Sequence, residues 1–180
     1  QAGSSIDRPE THQDKRNPVG KIRKKRAAAP PRRKTIRVAI IGAGGRAAGA
    51  HYPCLAQLPG CELVAACDID GERLGGVCDR FGVAGRYTDF RQMIETEKPD
   101  AVYAFMPPHH LYDVAAEVME RGCHLFIEKP PAVTTEQVRQ LAAIARRQKV
   151  HTGVTFQRRF APVVRQGKAR CEARGAVHTA

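Results

Sequence analysis

No stretch of this 180-residue sequence is apolar for long enough to span a bilayer. The N-terminus lacks the apolar core of a secretory signal. Neither a membrane-spanning nor an exported protein is therefore the expectation; a cytoplasmic one is. The six cysteines (Cys54, Cys61, Cys67, Cys78, Cys123 and Cys171) form no Cys-x-x-Cys pair. Cys67 and Cys123 fall in segments that read as buried strands, so reduced thiols fit better than a disulfide framework. No metal site is read from the sequence, and no internal repeat is visible.

Charge is unevenly spread. The formal net charge is +12, but residues 1–35 hold 11 Lys/Arg against 3 Asp/Glu, a net of +8, which leaves the remainder at only +4. The first 35 residues are polar and proline-punctuated, densest at Lys21-Ile22-Arg23-Lys24-Lys25-Arg26 and Pro30-Pro31-Arg32-Arg33-Lys34. Such a segment cannot bury a core and is expected to be a disordered basic tail. It could neutralise phosphates on a nucleic acid or meet another anionic surface, or be a solvated leader or an upstream extension of the reading frame. No aromatic residue is interleaved for base stacking, which favours the leader, and nucleic acid is not the expected partner.

The rest of the chain is organised around Ile36-Arg37-Val38-Ala39-Ile40-Ile41-Gly42-Ala43-Gly44-Gly45-Arg46-Ala47. A β-branched run of this kind reads as a strand buried on both faces of a parallel sheet. Gly42-x-Gly44-x-x-Ala47 is the Rossmann pattern in its Ala form. Gly42 would make the tight turn, Gly44 would let the backbone approach a pyrophosphate, and Ala47 would let the helix sit close on the strand. The phosphates would lie at that helix's N-terminus, where free N–H groups favour an anion. A second apolar strand, Glu62 to Cys67, ends in Asp68, 21 residues past Ala47. That spacing suits the acid that holds an adenosine ribose, and an acid there favours NAD over NADP, with Arg73 as the nearby residue that would admit NADP.

Further along, Pro53 is expected to kink or restart the first helix, and Pro59-Gly60 turns into the second strand. Asp70 opens a helix bearing Leu74, Val77, Cys78 and Phe81 that Gly82 closes. A short strand near Gly85 to Tyr87 precedes a helix capped at Thr88-Asp89. The fourth strand is expected over Ala101 to Phe105, stopped by Pro107-Pro108, with a helix from about Leu111 to Arg121. Cys123 to Ile127 reads as the fifth strand and runs into Glu128-Lys129-Pro130-Pro131. Thr134-x-x-Gln137 is a capping box, Val150 to Phe156 a sixth strand, and a last polar helix runs towards Arg174-Gly175. Strands and helices in alternation imply an α/β fold with a doubly wound parallel sheet.

Three stretches together resemble the Gfo/Idh/MocA oxidoreductases. They are Gly42 to Gly45 with His51-Tyr52-Pro53-Cys54-Leu55, Asp100-Ala101-Val102 leading to Pro107-Pro108, and Gly122 to Pro130. Gly153 to Pro162 is similar to the end of that family's nucleotide domain. The resemblance implies NAD(P)-dependent hydride transfer on a sugar, polyol or related alcohol or ketone, with Lys129 as the catalytic residue. An ammonium there can hydrogen-bond the substrate oxygen, stabilise a developing alkoxide and relay a proton. The implied cofactor-binding set is Gly42, Gly44, Gly45, Arg46, Ala47, Asp68, Pro107, Pro108, His109, Glu128, Lys129, Pro130, Gln157 and Arg159. The cofactor is expected to be NAD, with NADP as the alternative.

Two positions depart from the family pattern. A His usual four residues after Pro107 is replaced by Leu111, with His109 and His110 beside it. The first helix also reaches His51 one residue late, and no role is assigned to that histidine. Family members continue past a point like Val177 into an antiparallel sheet that completes the substrate site. The expectation is therefore a dinucleotide-binding domain over residues 36–177, with 178–180 the start of a missing substrate domain. Its docking face would expose apolar surface and favour self-association. A dinucleotide-binding module without catalysis is the alternative reading.

Overall fold

The computed structural model describes residues 35–175. Of the expected basic tail only Thr35 falls within them, and residues 176–180 lie outside. Strand β1 (Ile36–Ile41) leads through the glycine loop into a π-helical turn (Ala47–His51) and then α1 (Tyr52–Ala56). Next come β2 (Cys61–Cys67), α2 (Gly71–Phe81), β3 (Gly85–Tyr87) and α3 (Phe90–Glu97). The second half holds β4 (Ala101–Ala104), α4 (Pro108–Glu120), β5 (His124–Ile127), α5 (Thr135–Gln148) and β6 (Thr152–Val154). A 3-10 turn (Gln157–Phe160) and α6 (Pro162–Glu172) follow.

The strands form one six-stranded sheet in the order β3-β2-β1-β4-β5-β6, and every pairing is parallel. The order reverses between β1 and β4, which is where such sheets open a crevice at the carboxyl ends of their strands. Successive residues of β1 serve opposite faces, as a pleat of period two requires. Val38 and Ile40 pack with Tyr52, Leu55, Leu74, Val77 and Cys78. Ala39 and Ile41 pack on the other face with Met93, Leu111, Val118 and Leu125. From Val38 to Ile41 the strand is buried on both faces, hence the apolar run there.

Local signals place most helix ends. The Asp70 carboxylate accepts from Arg73 N at 3.0 Å, and Gly82 takes the left-handed conformation at the far end of α2. Of Thr88 and Asp89, the second is the cap of α3, accepting from Arg91 N at 2.8 Å. Thr134 and Gln137 make a reciprocal capping box at α5. Pro53 lies in the first turn of α1, just past the π-helical turn, so the helix restarts there.

Several boundaries differ from expectation. Helix α4 begins at Pro108 rather than Leu111. A proline at the first helical position needs no N–H partner and has its φ already set, so Pro107-Pro108 starts a helix as well as stopping a strand. Strand β6 is three residues long, Thr152–Val154, instead of Val150 to Phe156, because it follows only the pairing that β5 offers. Strand β4 stops at Ala104 and β5 starts at His124, one residue inside each expected end. All six cysteines are free thiols. No helix among the described residues is long and apolar enough to cross a membrane.

Candidate functional site

The site starts at Gly42. Its φ is +108°, and a Cβ placed there would lie 2.1 Å from the Phe105 carbonyl oxygen. Only glycine fits that turn, which brings the loop hard against the end of β4. Gly42 N donates to Cys67 O at 2.7 Å, joining the loop to β2. At Gly44 and Gly45 an added Cβ would meet no protein atom within 4 Å. The loop is therefore open beside these two residues, with no protein atom filling the space a side chain would take. Ala47 is buried at the start of the helix and lets it sit on the sheet. The loop ends at a helix N-terminus, whose first N–H groups lack intrahelical acceptors. This cradle of small residues and free donors fits a pyrophosphate.

Asp68 stands one residue past β2 and is 8% exposed. Its carboxylate turns towards the protein: Oδ2 accepts from Ala43 N at 2.6 Å, and Oδ1 from Asp70 N at 2.9 Å and Arg73 Nη2 at 2.8 Å. Burial alone would raise its pKa, but Arg73 and the Asp70 and Ala43 amides together hold it below the ordinary carboxylate value. Asp68 thus braces the glycine loop, with lone pairs to spare for one further donor. Arg73 also lies 3.4 Å from Asp70, so two carboxylates share its guanidinium.

Across the crevice, Glu128 follows β5 directly. It accepts from Thr155 Oγ1 at 2.7 Å, from Arg46 Nε at 3.2 Å and from Lys129 N at 3.2 Å. Burial pushes its pKa up, and these donors overcome that and hold it below the usual glutamate value. With its amide oriented as its neighbours require, Gln157 accepts from Arg46 Nη2 at 2.6 Å and donates to the Thr155 carbonyl. Arg46 therefore ties the glycine loop to the loops after β5 and β6. Lys129 is exposed, and among the described residues no carboxylate pairs with its ammonium. Its peptide bond to Pro130 is cis.

His51, which the sequence left without a role, stacks on Phe105 at 3.9 Å and 17°. Its Nε2 is 3.6 Å from Glu128 Oε1. Burial lowers its pKa, the Glu128 carboxylate opposes this, and Arg46 adds a smaller downward push. Thr155 was also missed. It is 3% exposed; in the sequence it falls inside the Gly153 to Pro162 stretch and the expected sixth strand, where nothing marked its hydroxyl for a role. Other expected residues stand apart from the network. His109 is exposed on the first turn of α4, its ring 4.1 Å from that of His110. Leu111 is wholly buried in the core. Pro107 and Pro108 shape the start of α4, while Pro130 is exposed. The Arg159 guanidinium lies over the Phe160 ring at 5.4 Å.

The parallel sheet, its glycine turn and the helix N-terminus behind it define a Rossmann domain. Residues 36–156 match the profile of the oxidoreductase family with an NAD-binding Rossmann fold, Gfo/Idh/MocA, and the chain belongs to that family. It is 36% identical over 126 residues to the D-glucoside 3-dehydrogenase of Escherichia coli K12, covering 70% of this chain and 36% of that protein. Among solved structures it is similar to myo-inositol 2-dehydrogenase from Lactobacillus plantarum, with TM-score 0.72 and 30% identity. Scyllo-inositol dehydrogenase from Lactobacillus casei, solved with NAD(H) and scyllo-inositol bound, aligns with TM-score 0.72 and 25% identity. Each alignment covers 78% of this chain and 42% of the other. The chain thus spans well under half the length of these relatives.

Proposed function

We propose that this chain is the dinucleotide-binding portion of an NAD-dependent dehydrogenase acting on a sugar, polyol or related alcohol or ketone. One observation carries the reading: Arg46 of the glycine loop reaches Glu128 and Gln157, joining the pyrophosphate cradle to the loop that bears Lys129. NAD held in this cradle would supply the hydride acceptor for oxidation of an alcohol carbon. The chain's own part is to hold and orient. Gly44, Gly45 and the helix N-terminus receive the pyrophosphate, and Asp68 offers its remaining lone pair to a ribose hydroxyl. Lys129 would meet the substrate oxygen: as the neutral amine it takes up the hydroxyl proton, and the ammonium so formed stabilises the negative charge left on that oxygen.

NAD is assigned over NADP on charge. Asp68 and Asp70 both hold Arg73, so the corner that would face a 2′-phosphate has two carboxylates against one shared guanidinium. In the 180-residue chain Lys129 is solvated. A lysine open to water neither orients a substrate nor excludes solvent. The chain by itself is therefore expected to bind NADH without turning over substrate. Phe156, Phe160, Val163 and Val164 are exposed on the 3-10 turn and α6, and they support self-association of the isolated chain.

The test is a fluorescence titration with NADH and NADPH, followed by NADH formation from inositols, hexoses and amino sugars. Tighter binding of NADH with no turnover is expected. Turnover on the order of 1 s⁻¹ that vanishes in Lys129→Ala would overturn the half-site reading. Failure to bind either dinucleotide would overturn the assignment itself.

A further inference from the structure

Among the described residues, only Asp68 and Thr155 are polar and buried. Asp68 braces the glycine loop. Thr155 sits one residue past β6, and its backbone N–H donates to Ile127 O at 2.9 Å, extending the pairing with β5. That bond places its side chain beside Glu128. The hydroxyl donates to Glu128 Oε2 at 2.7 Å and accepts from Lys129 N at 3.2 Å. A hydroxyl can give and receive at once, which neither an amide N–H nor a methyl can do. Its two partners are consecutive in the chain and 27 and 26 residues away from it. Without the hydroxyl, Lys129 N would keep only the 3.2 Å contact with Glu128 Oε2. Glu128 would keep Arg46 as its one side-chain donor, with His51 at 3.6 Å.

We propose that Thr155 is the positioning residue of this site, its hydroxyl fixing the Glu128 carboxylate and the first amide of the Lys129 loop. The bulk of Thr155 is secondary; the donor and acceptor on one oxygen are what the loop uses. The consequence for NADH rests on the dinucleotide reading above, whereas the consequence for Glu128 does not.

The experiment compares Thr155→Val, which keeps the shape, with Thr155→Ser, which keeps the hydroxyl, in the 180-residue chain. Three quantities are read: the Glu128 carboxyl titration by carbon-13 NMR, the NADH dissociation constant, and that of ADP. In Thr155→Val the Glu128 titration should move up and NADH should bind roughly tenfold more weakly, the scale of a lost hydrogen bond to a charged group. Thr155→Ser should restore both. ADP ends at the pyrophosphate, so its affinity should stay level in all three proteins. A valine variant with an unchanged Glu128 titration and unchanged NADH affinity would overturn the proposal. So would valine and serine variants displaced equally, since a retained hydroxyl would then not be enough to hold the loop. If the valine variant does not fold, Thr155→Cys replaces it, because a thiol is a weak donor and acceptor of similar size; the same upward shift is expected, and its absence overturns the proposal. If the parent chain binds neither NADH nor ADP, the dinucleotide reading falls, while the Glu128 titration still decides the role of Thr155.

Discussion

Gly42 and Gly44 belong to one motif but answer to different constraints, and alanine at each should separate them. In Gly42→Ala the new Cβ would lie 2.1 Å from Phe105 O, whereas real Cβ contacts stay beyond 3.0 Å, so the backbone must open by about 0.9 Å. The obstructing atom is a main-chain carbonyl, and Phe105 N is itself bonded to Ile41 O at 2.8 Å. The overlap therefore cannot be relieved by turning a side chain. A side chain at φ +108° adds strain of about 1–3 kcal/mol, and overpacking adds about 1–3 kcal/mol. The loss should be roughly 2–6 kcal/mol, or a fall in Tm on the order of 10 °C. Gly44 has open space around an added Cβ and no left-handed φ. Gly44→Ala should leave stability within about 1 kcal/mol and weaken NADH binding instead, since the methyl would stand where the pyrophosphate approaches. Urea unfolding of both variants and NADH titration of Gly44→Ala make the comparison. Equal destabilisation by the two substitutions, or a stable Gly42→Ala, would refute the reasoning.

Asp68→Ala should weaken NADH binding and also destabilise the fold by about 2–3 kcal/mol, since it strips a charged acceptor from Ala43 N and Asp70 N; denaturant unfolding at pH 7 checks this. Because Asp68 has a lowered pKa in the fold, its contribution is present above the ordinary carboxylate value of 3.8 and is lost as pH falls through the lowered folded value. The acid limb of the stability profile should therefore flatten in the variant. His51 runs in the other sense from most paired histidines. Its folded pKa lies below the ordinary 6.5, so the unfolded chain binds more protons and stability should fall as pH drops below 6.5. Glu128→Gln should lower the His51 titration further and Arg46→Ala should raise it, both readable by proton NMR. Removal of residues 1–34 should leave Tm and NADH affinity unchanged, because the packed strand begins at Ile36, whose N–H bonds to Gly60 O at 2.9 Å. A lower Tm after truncation would contradict this.

What could be read from the amino-acid order alone is what depends on neighbours within a few residues. The buried parallel sheet shows in the apolar run Val38 to Ile41 of β1, the turn in Gly42, and the helix ends in Asp70, Gly82 and Thr134. Each is set by a backbone preference or a side chain bonding three residues along. Lys129 and Glu128 could be marked because they follow a strand directly, at the edge where parallel sheets hold ligands. The bonds that make these residues a site have no local origin. Arg46 meets Glu128 across 82 positions, Asp68 reaches Ala43 across 25, and Thr155 reaches Glu128 across 27. His51 found its place only when β4 set Phe105 beneath it, and Leu111 proved to be core because α4 starts a turn early. Strand order decides which loops share the crevice, and that order is a property of the packed sheet, since the register of β1 on β4 is settled by burial on both faces rather than by any one segment.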